Sequence, residues 1–121
     1  MKRKRFIIEL GTGIDLHGAD VTEAACRAVK DAISSNCLCG LKEILELQDA
    51  KQMDIDILVA CPCPDQVDIS KVEAVLPVGK RSARVVEGGM LADGLSAPQF
   101  GPDGDKIVVA NAAVTVYCSG N

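Results

Sequence analysis

Apolar positions along this chain recur with two different periods, and the places where the period changes mark the elements. Residues 6–10 form an aliphatic run that predicts a strand, and the closely spaced Gly11 and Gly13 interrupt it. The strongest pattern follows. Val21, Ala24, Ala25, Ala28, Val29, Ala32 and Ile33 repeat at helical spacing on one face, while Glu23, Arg27, Lys30 and Asp31 fall elsewhere on the wheel. Asp20 is a suitable N-cap, Glu23 three residues on completes a capping-box pattern, and Ser34, Ser35 and Asn36 supply the stop. Partial alternation over residues 42–47 predicts a second strand and alternation over 55–60 a third, which the Cys61-Pro62-Cys63-Pro64 stretch must end. Residues 68–76 predict a short helix capped by Asp68, with Ile69, Val72, Val75 and Leu76 on its apolar side and Pro77 and Gly79 closing it. Residues 82–86 and 107–118 predict two more strands. The Gly-, Pro- and Asp-rich stretch 88–105 between them reads as a long loop with room for a short hairpin.

The resulting order, β-α-β-β-α-β-β, predicts an α+β two-layer sandwich: a mixed four- or five-stranded sheet with two helices on one face. The other face stays apolar, and such a face is commonly buried against another subunit, so a homo-oligomer is expected.

Composition narrows the function classes. A chain of 121 residues suits one domain, 1–121, with residues 1–5 as a basic tail. Aromatic residues are only 2% of the chain, so the core is aliphatic and a stacking platform for bases is not expected. The net charge of −4 argues against binding nucleic acid, which calls for a basic face. The one basic cluster, Lys2 to Arg5, reads as a solvated end before the first strand. No apolar run reaches the length of a membrane span, and Glu9 and Gly11 break up any signal core after the basic residues, so a cytoplasmic protein without membrane contact is expected. In such a reducing compartment the six cysteines are expected to be free thiols.

The concentrated chemistry lies in residues 11–18, GTGIDLHG, which contain Asp15 and the only histidine, His17. In extended backbone Asp15 and His17 share a face, with Ile14 and Leu16 on the other. A carboxylate beside an imidazole is a pair of ligands for a divalent metal, or an acid–base pair; it is equally a local turn contact. Gly11, Thr12, Gly13 and Gly18 bracket the pair as ligand-binding backbone. The pair also precedes the best helix, whose N-terminal N–H groups favour a small anion. The lysine and glycine spacing of a phosphate-binding P-loop are absent.

GTGIDLHG fits a GxGxDxHG motif, and with the helix ADVTEAACRAVKDAI and the VVEGG segment it resembles the Lin family of small conserved hypothetical proteins across nearly the whole chain. That resemblance implies a site at Gly11, Gly13, Asp15, His17 and Gly18 and names no reaction. GIDLHG is also locally similar to the Asp-x-His metal pair of isoprenoid cyclodiphosphate synthases, whose remaining histidine ligand this chain lacks. The element order resembles chorismate-mutase-like and YjgF-like subunits, which implies rings with ligand sites between subunits.

Glu87, after a predicted strand, is either a third metal ligand or general base near His17 or a turn residue. Asn111, inside an apolar strand, either reads a ligand or faces solvent. Cys37 with Cys39 and Cys61 with Cys63 form two C-x-C pairs, tighter than the usual zinc spacing; they read chiefly as independent small hydrophobes and otherwise as a thiolate metal site. Cys26 and Cys118 read as packing residues. Two functions remain: a small anionic-metabolite-binding protein or enzyme using Asp15, His17 and Glu87, or a non-catalytic oligomeric protein in which GTGIDLHG is structural.

Overall fold

The computed structural model describes residues 3–47, 52–102 and 104–119. Its elements are β1 (Arg3–Asp15), α1 (Val21–Ser34), α2 (Gly40–Glu43), β2 (Met53–Cys61), α3 (Ile69–Glu73), β3 (Lys80–Glu87), β4 (Met90–Asp93) and β5 (Lys106–Ser119). The sheet runs β1-β5-β2-β3, with β4 also paired to β5. β5 is antiparallel to β1, β2 and β4, and β2 is parallel to β3. The fold is therefore the expected α+β two-layer arrangement, a mixed five-stranded sheet with its helices on one face.

The core lies between that face and α1. Ala24, Ala25, Ala28, Val29 and Ala32 of α1 are buried against Ile55, Ile57 and Val59 of β2 and Val108, Ala110, Ala112 and Val114 of β5. The helix face read from periodicity is the buried face. Asp20 caps α1 as expected, its side chain accepting from the Glu23 N–H at 3.0 Å. Asp68 likewise caps α3 through the N–H groups of Ser70 and Lys71.

Four local expectations are corrected. Residues 42–47 are not a strand: the chain forms α2 and then a turn, because Leu41, Ile44 and Leu45 are spaced for a helical face and Leu41 alone of the three is buried. The strand at residues 6–10 does not stop at the glycines but continues through them to Asp15. The basic run is not a frayed end from Arg3 onward. Arg3 lies in β1, pairs with Asp54 and Asp56 at 3.4 Å each, and sits over the Tyr117 ring at 3.8 Å. The helix at 68–76 is shorter, with α3 ending at Glu73 and a turn following it.

The long 88–105 segment contains β4, which pairs with β5 rather than folding back on β3. Among the described residues no helix is long and apolar enough to cross a membrane.

Candidate functional site

Gly11 and Gly13 turn toward α1. A Cβ on Gly11 would overlap the Ala32 nitrogen and Ala28 carbonyl oxygen, and one on Gly13 would overlap the Ala24 carbonyl oxygen and Ala28 nitrogen. These glycines therefore let the helix backbone lie directly on β1. The same packing sets the next residues, for it carries the end of β1 to the first turn of α1.

Asp15 closes that junction. It is 8% exposed, and its Oδ2 accepts the Asp20 N–H at 3.0 Å. Its Oδ1 lies 3.5 Å from Arg27 Nη1. In a full capping box the Glu23 side chain would accept the Asp20 N–H; here Asp15 does so, and Glu23 pairs with Arg27 Nε at 3.1 Å. Arg27 Nη1 also donates to the Ile14 carbonyl at 2.6 Å. Gly18 follows with φ +106, a conformation that suits glycine and reverses the chain toward the helix.

His17 is exposed, and it is held by a distant segment. Its ring stacks on Phe100 with centroids 3.9 Å apart and 8° between planes, and its Nδ1 lies 3.3 Å from the Gly104 carbonyl. A carbonyl only accepts, so Nδ1 carries the proton in this contact. Phe100 belongs to a single 3-10 turn, Pro98–Phe100. The histidine thus pins the β4–β5 connection to the β1–α1 turn.

Asp15 and His17 line one open depression of about 390 Å³ together with Ile14, Leu16 and Arg27. Thr12 lies one step back on β1, exposed, with its N–H donated to Asp31. Glu87 is not brought to this depression. It stands in register with Cys61 on β3, while Asp15 is on β1, three strand spacings across the sheet, or about 14 Å. Among the described residues no group of three or more His, Cys, Asp or Glu side chains is arranged to hold a metal ion. The two C-x-C pairs do not converge. Cys61 Sγ contacts the Val21 carbonyl at the start of α1, whereas Cys37 and Cys39 follow its end, roughly 20 Å away along a 14-residue helix. Burial pushes the Cys61 thiol from 9.0 up to about 11, with Cys63 and Glu87 adding to the rise, so it stays protonated. Asn111 faces away from the helices and is exposed.

Two participants were not foreseen from the sequence. Arg27 carried a signal, since it follows Glu23 by four residues and borders the apolar stripe. Phe100 carried none, being 83 positions from His17 inside a loop.

The family model described as Conserved hypothetical protein (Lin0512_fam) matches residues 5–116. Among solved structures, the crystal structure of an FtsZ-like protein of unknown function from Nostoc punctiforme PCC 73102 superposes with a TM-score of 0.88 at 44% identity, covering 99% of this chain and 99% of that one. Comparison with curated proteins gives no match.

Proposed function

The chain belongs to the Lin0512 family of conserved hypothetical proteins, and from its geometry we propose a self-associating binding protein in which a second copy covers the bare sheet face and closes a small-molecule site at its rim. One observation carries this reading: Ile14 and Leu16 belong both to the exposed apolar surface and to the wall of the depression that holds Asp15, His17 and Arg27. A partner seated on that surface would wall off the open side of the site.

The surface itself supports a second copy as the occupant. Ile8, Leu10 and Ile14 of β1, Val86 of β3 and Met90 of β4 lie on the face away from the helices and are exposed, Leu10 by 74%. The opposite end of that face is polar and mixed in sign. Asp56, Ser82, Arg84, Thr115 and Tyr117 line a groove of about 270 Å³. Among the described residues Arg84 has no ion-pair partner, whereas Asp54 and Asp56 share Arg3. A two-fold arrangement would set Arg84 of each copy against the aspartates of the other. Four strands of eight residues give a face of about 500 Å² in projection, of the order of the ~800 Å² per partner that stable interfaces bury.

The ligand we propose is a small anion, as a carboxylate or phosphate. Arg27 uses Nη1 and Nε on the protein, so Nη2 supplies the remaining donors on the wall that His17 also lines. Asp15 acts as a positioning residue, since both its oxygens serve the helix junction. Glu87 has no part in it. The free cysteines suit a reducing, cytoplasmic setting.

The single histidine gives a clean test. Its acylation by diethylpyrocarbonate should slow as protein concentration rises and the face is covered, and Leu10→Lys should restore the fast rate. An identical rate in both proteins at all concentrations would overturn the reading.

A further inference from the structure

The long first strand is an edge of the sheet, and an edge strand offers unpaired backbone groups to any extended chain. Here two of those groups are occupied. The Thr12 N–H donates to Asp31 Oδ2 at 2.9 Å, and the Ile14 carbonyl accepts from Arg27. Both side chains come from α1. Alternate residues turn their backbone groups to the same side, so Ile8 and Leu10 face the free edge as well. On their N-terminal side the pairing slips by a bulge between Arg5 and Ile7, after the charged Arg3, Lys4 and Arg5. Bulges and charges both discourage strand pairing. The stretch that no helix side chain touches is thus Ile8 and Leu10, shorter than the strands that stable pairing uses. The other edge, β3, is treated in the same way: the Ala83 N–H donates to Glu73 Oε2 of α3 at 3.1 Å.

We infer that Asp31 and Glu73 are edge caps, by which the helices close both margins of the sheet so that a second copy is accepted face to face and strand addition is refused. The part concerning the second copy rests on the face reading above; the caps stand on their own contacts.

Two measurements test it. By amide exchange of the wild-type protein, the Thr12 and Ala83 N–H groups should exchange about five- to tenfold slower than that of Ile8, which lies on an edge without a cap. In sizing experiments, Asp31→Ala combined with Glu73→Ala should form large, thioflavin-positive species that grow with concentration. Asp31→Asn keeps an acceptor oxygen and should retain the wild-type size. Exchange of Thr12 as fast as Ile8 would overturn the proposal, and so would a folded double variant with the wild-type size distribution. If the double variant does not fold, the wild-type exchange rates decide. Leu10→Lys separates the two ideas: should it fail to dissociate the protein, the face reading falls while slow Thr12 and Ala83 exchange still upholds the caps.

Discussion

The two faces of the same first strand are built on opposite plans. Toward α1, β1 presents Glu9, Gly11, Gly13 and Asp15; away from it, Ile8, Leu10, Thr12 and Ile14. The buried side thus has the acids and glycines, with Glu9 only 5% exposed and held by Asn36 Nδ2 at 2.8 Å, while the bulky aliphatics face outward. An ordinary half-buried strand has the reverse distribution. The inner face shows how close contact is achieved, by removing side chains so that an alanine-rich helix meets the sheet backbone. The outer face shows what remains to be covered. Buried carboxylates inside are tolerated because each has a specific donor; exposed aliphatics outside have no such compensation within one chain.

The sharpest way to break this contrast is to give the inner face a side chain. Gly13→Val should cost about 3 kcal/mol or more, read from urea unfolding, because the α1 backbone must lift to admit it. Asp15→Ala should come next, at about 2 kcal/mol, since it strips the Asp20 N–H of its acceptor and Arg27 of a partner. Asp15→Asn keeps one acceptor and should cost less. A smaller effect is expected from Cys61. Its thiol ionises near 9.0 in the unfolded chain and at about 11 when folded, so its contribution is complete below pH 9 and is lost as pH rises toward 11. Cys61→Ala should flatten the loss of stability over that interval. In the native protein at pH 8, iodoacetamide should label exposed Cys63 before Cys61. On the outer face, Leu10→Lys should leave the unfolding free energy of the single chain within about 0.5 kcal/mol.

Much of this was legible from local chemistry. The period of Val21 to Ile33 and the oxygen of Asp20 announced α1 and its start, and Asp68 did so for α3. Alternation placed β2, and the β-like runs at 82–86 and 107–118 placed β3 and β5, to within a few residues. The failures share one cause, dependence on partners distant in sequence. Gly11 and Gly13 weaken a strand by propensity, and only α1 pressed against them explains why β1 continues. Residues 42–47 have apolar positions that fit either period, and the strand order supplies them no neighbour. Asp15 and His17 line one depression, but Asp15 hydrogen-bonds at the helix junction and His17 stacks on Phe100, contacts that the Asp-x-His spacing does not encode. The distance of Glu87 from that wall follows from β5 and β2 lying between, an order no local pattern encodes.

Sedimentation equilibrium of the wild-type protein and of Leu10→Lys, over a wide concentration range, tests the central claim most directly. The account predicts a multiple of the 12.7 kDa chain mass for the wild type and 12.7 kDa for the folded variant. A wild-type protein that stays at the mass of one chain at every concentration would contradict it.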